Sequence, residues 1–182
     1  MSHRYPATIH LILISPGHNY FGHPAGAPGE HPTHLVSAVQ VHAGRGLVGD
    51  RFYGRGEDFD GHVTFFAWEV YRLLQEELGQ GPWSAATLRR NVVVEGIPLN
   101  QLIGQEFILQ GIRFRGTKHC APCRWMAEMI GPEARRLLQG RGGLRAQALS
   151  SGVLRTGAAI LETTTPLDLT SITAPLSRPR LP

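Results

Sequence analysis

Glycine and proline cut this chain into short apolar runs, and that punctuation is what most limits the folds open to it: 22 glycines and 13 prolines leave few stretches of helical length. Ala7–Ser15 reads as a buried strand, because Ile9, Leu11, Leu13 and their neighbours form a run too short and too β-branched for a helix. Leu35–His42 alternates apolar and polar positions and reads as a second strand. His62–Phe66 reads as a strand passing into a helix from about Ala67 to Leu78. Val70, Leu73, Leu74 and Leu78 lie on one face of that helix, and Gly79 ends it. A proline-punctuated segment leads to a Val-rich strand at Asn91–Glu95. Glu106–Leu109 and Ile112–Gly116, separated by Gln110-Gly111, form a hairpin. Pro132–Leu138 reads as helix, and Leu144–Leu149 and Ala158–Thr163 as closing strands. Many short strands with few helices predict a mixed α/β, barrel-like fold with the helices packed outside, rather than a doubly wound sheet.

At 182 residues, 18% of them charged and 42% hydrophobic, the chain is long enough to bury one core without disulfides. No internal repeat stands out, so a single domain over residues 1–182 is expected, with its core at about 35–163. Ser15–His34 is a long connection rich in Gly, Pro and His, and loops of that length are often functional. The segment from about Thr164 is expected to lie over the surface or to be disordered. Apolar runs such as Leu11–Ile14 are far short of the roughly 20 residues a bilayer demands, so no membrane association is expected. The N-terminus lacks a long apolar stretch followed by a small-residue cleavage site, which predicts an unprocessed cytoplasmic chain.

The net charge of +4 comes almost wholly from arginine. Codon composition explains such a bias without any function; anion recognition by the guanidinium fork explains it too. Nucleic acid is not the expected partner, since no long basic run, aromatic RNA-binding signature or helix-turn-helix pattern is present.

Lys118-His119-Cys120-Ala121-Pro122-Cys123-Arg124-Trp125 holds both cysteines and the only lysine. The apolar periodicity of Trp125, Met126, Met129 and Ile130 places Cys123 where a strand yields to a helix, with Pro122 suited to the first turn. Free helix N–H groups and the cations Lys118 and Arg124 favour a thiolate there. Four readings stay open at this point: a working Cys123 with Cys120 and His119 accessory, a zinc site completed by histidines, a dithiol redox pair, or inert packing. Gly44–Arg51 resembles a phosphate-cradling loop in glycine content but has neither the Walker spacing nor G-x-G-x-x-G. Arg141-Gly142-Gly143 is a second glycine–arginine corner able to turn N–H groups towards an anion. His18, His23, His31 and His34 share the long loop with Asn19, Tyr20 and Phe21, without the spacing of a helical metal pair. No nucleophile elbow supports a hydrolase.

In order, Gly46-Leu47-Val48-Gly49-Asp50-Arg51, Asn91, Ile103-Gly104-Gln105-Glu106-Phe107, Pro122-Cys123, Arg141-Gly142-Gly143, Ser151-Gly152 and Gly157 resemble the MOSC family, named after the C-terminal domain of molybdenum cofactor sulfurases. The resemblance covers about residues 35–163, and His18–His34 is similar to the leader of a bacterial stand-alone subgroup. It implies a mixed β-barrel and a pocket built around Cys123, which would carry sulfur as a persulfide or approach the molybdenum of bound molybdopterin. Related members reduce N-hydroxylated bases or amines. By this resemblance Gly49, Asp50, Arg51, Asn91, Arg141, Gly142 and Arg145 are the expected cofactor-binding residues. The implied partners are a small anionic cofactor and a protein donating sulfur or electrons, with a non-catalytic cofactor or persulfide carrier as the alternative function. The pyridoxal phosphate of the full sulfurase belongs to a separate domain that is not in this chain, and Lys118 is poorly placed for a Schiff base. Arg90 stands where many members carry glutamate, which changes the electrostatics of that loop. Cys120 is extra to the family scheme and is either incidental or able to resolve a persulfide on Cys123 by forming a disulfide. Arg51 and Arg141 are expected to meet in one anionic-ligand pocket near Cys123. The loop Ser15–His34 is expected to cover that pocket, through Tyr20, Phe21, Pro24 and either His18 or His23.

Overall fold

The computed structural model describes residues 2–19 and 29–176, and within them seven strands close into a mixed barrel. The strands are β1 (His3–Ile14), β2 (His34–Val36), β3 (Ala38–His42), β4 (Gly46–Leu47), β5 (Val63–Ala67) and β6 (Val92–Glu95). They continue as β7 (Glu106–Leu109), β8 (Ile112–His119), β9 (Leu144–Ala148), β10 (Gly152–Arg155) and β11 (Gly157–Thr163). The order β11-β7-β8-β9-β5-β6-β1 closes because β1 also pairs with β11; β2 hangs on the far end of β1. β10, β3 and β4 form a separate three-stranded sheet. Three α-helices, α1 (Trp68–Leu78), α2 (Arg124–Met129) and α3 (Pro132–Leu137), and three short 3-10 helices complete the regular structure of the described residues.

Among the described strands only β5 and β6 pair in parallel. A parallel pair needs a crossover, and α1 with a short 3-10 helix at Ala85–Leu88 supplies it. α1 buries Val70, Tyr71 and Leu74 against the barrel. The β7–β8 hairpin turns at Gln110 (φ 51°) and Gly111 (φ 76°), the two left-handed residues of a tight turn that keeps Leu109 opposite Ile112. Inside the barrel Phe65, Phe107 and Phe114 meet at ring-centre distances of 5.5–5.7 Å, two of the three contacts edge-on.

Three differences from expectation alter how the chain is laid out. β1 begins at His3, because Tyr5 and its neighbours pair with β11, a partner at the other end of the chain. The single strand expected at Leu35–His42 breaks at Ser37, where the chain leaves β1 and joins the small sheet. The C-terminal segment is docked as far as Leu176: Gln101 donates to the Asp168 carbonyl and Asn100 to those of Gly140 and Ala174. The Leu176 N–H returns to the Gly140 carbonyl. The lid residues Tyr20, Phe21, His23 and Pro24 lie outside the described residues. No helix of the described residues is long and apolar enough to cross a membrane.

Candidate functional site

β8 delivers Cys120 to one end of the barrel, and Cys123 caps α2 three residues later. The Cys120 N–H donates to the Gly143 carbonyl (2.7 Å), tying the strand end to the corner before β9. A Cβ on Gly142 would come within 2.2 Å of the Cys120 carbonyl oxygen, so only glycine lets the two segments lie this close. Residues 120–123 have no regular structure, and the helix starts at Arg124 with Pro122 ahead of it, not in its first turn. Cys123 has an extended N-cap backbone, and its side chain makes no capping hydrogen bond. Both cysteines are free thiols; Cys120 is 4% exposed and Cys123 half-buried.

The two cysteines line one cavity of about 320 Å³, at the lower end of the roughly 300–1,000 Å³ of small-molecule sites. Its apolar wall comes from Phe52, Leu88, Trp125 and Met126, and its polar wall from Arg51, Arg89, Arg90 and Arg145. His18 and Asn19 reach it from the segment after β1.

The arginines set its electrostatics. Arg90, 8% exposed, donates to the carbonyls of Gly142 (2.9 Å) and Leu88 (3.3 Å), and at 3.4 Å to that of Ala121. Arg89 donates to the hydroxyls of Ser15 (3.1 Å) and Thr33 (3.2 Å) and to the Gly17 carbonyl (3.0 Å). Its guanidinium also lies over the Trp125 ring at 5.6 Å. Among the described residues neither makes an ion pair with a carboxylate. Arg51 does, with Asp50 (3.2 Å), and also donates to the Arg89 carbonyl. Of these three guanidiniums, only Arg51 is paired with a carboxylate among the described residues. Burial, with repulsion from Arg51, lowers the pKa of Arg89 to about 10. Arg89 is also one of two non-glycine residues with positive φ (53°) among the described residues, the kind of local strain that ligand clamps retain.

The residues picked out in the sequence separate into two groups. Cys120, Cys123, Arg51 and Arg145 line the cavity. Gly49, Asp50, Asn91, His119, Arg141 and Gly142 do not. Asn91 is fully buried, and its amide is spent internally: Oδ1 accepts from the Thr64 N–H and hydroxyl, and Nδ2 donates to Leu13 and Asp50. Asp50 accepts from the N–H groups of Ser15 and Phe52 besides Asn91 and Arg51. Both tie segments of the wall together, and neither lines the cavity itself. Gly49 (φ 84°) shapes the turn that presents Arg51. His119 accepts the Gly142 N–H on Nε2 (3.0 Å) and pins the corner.

Arg141 departs from the expected pairing with Arg51. Its guanidinium donates to the carbonyls of Thr173 (2.6 Å) and Leu137 (3.1 Å), drawn away by the docked C-terminal segment. Arg89 was not singled out in the sequence, and Arg90 only as a departure from the family pattern. The sequence signal for them is a pair of adjacent arginines directly before a buried Val-rich strand.

His18 and His119 have lowered pKa values. Burial is the main cause for both, reinforced at His18 by Arg51, Arg55 and Arg89 and at His119 by Arg90. Folding therefore favours their neutral forms. Their contribution is complete above the ordinary value of 6.5 and is lost as pH falls through the two depressed folded values. The urea midpoint is expected to be lower at about pH 5.5 than at about pH 7.5, and His18→Gln should flatten part of that slope. An unchanged slope in both His18→Gln and His119→Gln would refute this.

The cavity's residues fit an anionic, phosphate-bearing ligand beside a thiol. They do not fit a zinc site, since among the described residues no group of three or more His, Cys, Asp or Glu is placed to hold a metal. They do not fit a Schiff base either: Lys118 is 57% exposed, pairs with Asp60 and lies outside the cavity wall.

A closed seven-stranded mixed barrel with a cysteine in an arginine-lined cavity at its end defines the class, and the MOSC domain profile matches residues 34–161. The chain belongs to the MOSC domain family. No curated protein matches it by sequence. Among solved structures it is similar to the YuaD protein of Bacillus subtilis, with TM-score 0.70 and 18% identity over 91% of this chain and 100% of that one. YiiM of Geobacillus stearothermophilus follows at 0.62 and 18%, covering 92% and 82%. YiiM of Escherichia coli stands at 0.61 and 17%, covering 94% and 75%. Identities this low establish the fold alone.

Proposed function

We propose that this cavity binds the molybdenum cofactor, molybdopterin, and that Cys123 is the working sulfur, either carrying a persulfide or serving the reduction of N-oxygenated substrates. The observation that carries this reading is the charge imbalance: Arg51, Arg89, Arg90 and Arg145 line a cavity that also holds two thiols, and among the described residues only Arg51 and Arg145 pair with a carboxylate, Asp50 and Asp60. A buried excess of guanidinium is costly unless an anion compensates it. Phosphate is the anion the planar donor fork suits best.

Arg51 and Arg89 would hold the phosphate, with Phe52, Trp125 and Met126 covering the flat part of the ligand. When bound, the cofactor supplies a redox metal and a sulfur-rich ligand set, for which a thiolate is a matched soft donor. Cys123 presents its sulfur from a half-buried N-cap, and His18, kept neutral at the cavity wall, is available to donate or accept a proton. Two free thiols suit a reducing compartment, the cytoplasm. A protein partner would deliver sulfur or electrons.

The test is metal and pterin analysis of the chain purified from a molybdopterin-producing host. Wild-type protein should carry both molybdenum and pterin. Arg89→Ala should weaken retention by about 1.5–3 kcal/mol, the scale of a charge-assisted hydrogen bond. Protein that neither retains nor takes up the cofactor would sink the reading.

A further inference from the structure

The second cysteine remains unexplained by a scheme that needs one. Cys120 is nearly buried, yet its exposed edge faces the same cavity as Cys123. Its backbone is fixed by the Gly143 carbonyl and by contact with Gly142. Arg51 lines the same cavity as Cys120. A cysteine present only for packing needs neither the cavity nor the cation. Two thiols three residues apart, opening on one cavity beside a guanidinium, form a pair able to exchange sulfur.

We propose that Cys120 is a resolving thiol that discharges a persulfide from Cys123. This rests on the sulfur-carrying branch of the proposed function. Once Cys123 holds a sulfane sulfur, the Cys120 thiolate attacks the Cys123 Sγ. The bond between that Sγ and the outer sulfur breaks, and the outer sulfur leaves with the electron pair as hydrosulfide. The sulfane sulfur is reduced and the two cysteine sulfurs are oxidised to a Cys120–Cys123 disulfide, so electrons balance within the pair. Hydrosulfide is a good leaving group because its conjugate acid is more acidic than an ordinary thiol. It is released among the arginines, which favour an anion. A small thiol or a protein dithiol then reduces the disulfide by exchange and returns both cysteines to the thiol state. The chain thereby releases reduced sulfur rather than merely passing a persulfide on.

The experiment loads the full chain with inorganic polysulfide, removes the excess, and reads intact mass, sulfide release and the position of each modification. Wild type should lose two hydrogens' mass and release one equivalent of hydrosulfide, with fragment ions locating a Cys120–Cys123 disulfide. Cys120→Ser should keep one added sulfur on Cys123 and release little sulfide until an external thiol is added. Cys120→Ala, checked for native circular dichroism, serves if the serine variant does not fold. Wild type holding its persulfide as long as Cys120→Ser would overturn the resolving role and leave Cys123 as a carrier. Failure of Cys120→Ser to load Cys123, together with no disulfide and no released sulfide in wild type, would overturn the carrier reading and this proposal together. A stable persulfide on Cys120 in Cys123→Ser, with none on Cys123 in Cys120→Ser, would reverse the roles and refute the assignment.

Discussion

Replacing Asp50 by alanine is expected to destabilise the chain by about 3–5 kcal/mol, the usual cost of removing one partner from a buried ion pair. Its carboxylate gathers four donors from three parts of the chain: the Ser15 N–H after β1, the Phe52 N–H and Arg51 guanidinium in its own turn, and the Asn91 amide before β6. Its loss leaves the Arg51 guanidinium without its counter-ion, with Arg90 adding repulsion. The Asn91 Nδ2 and the Ser15 N–H each lose an acceptor in the interior. Asp50→Asn should cost less, because a neutral acceptor remains for some of the donors. Urea unfolding of both variants checks the order. Asp50→Ala unfolding at the wild-type midpoint would show that the carboxylate does not hold the cavity wall.

That network also marks how far the sequence could be read. The β7–β8 hairpin was legible because Gln110-Gly111 supplies a turn whose chemistry is local, and α1 because its apolar face repeats at helical spacing. Asp50 and Asn91 were legible as important residues but not in their roles. Only closure of the barrel brings residues 41 positions apart into one hydrogen bond, and nothing local distinguishes a ligand-holding amide from a wall-holding one. Arg141 misled for the same reason: its glycine corner looks like an anion nest, but Thr173, 32 residues on, claims the guanidinium. Arg89 escaped notice because an arginine pair before a strand looks like solvated charge. Its meaning depends on Ser15, Gly17 and Thr33, which reach it from a distant loop. β10, at Gly152–Arg155, has no local signature beyond its Ser-Gly start, since a strand this short is defined by its pairing with β3.

Cys123→Ser is expected to abolish sulfur loading and to lower any cysteine-dependent turnover by several orders of magnitude, while leaving the fold intact. The argument is one of access and chemistry together. Cys123 is half-buried on the cavity wall at the N-cap of α2, and the side chain makes no capping hydrogen bond, so the substitution removes no structural contact of that kind. Serine keeps the volume and a polar head but cannot hold a sulfane sulfur, and its hydroxyl remains protonated at neutral pH. Limited alkylation of the native chain offers an independent reading. Cleavage after Lys118 and Arg124 yields one peptide with both cysteines, whose fragment ions assign the label. Cys123 should be labelled first, and Cys120, 4% exposed, should become reactive mainly on unfolding. Preferential native labelling of Cys120 would transfer the working role to it. Turnover surviving in Cys123→Ser would mean that the cavity acts through its arginines alone.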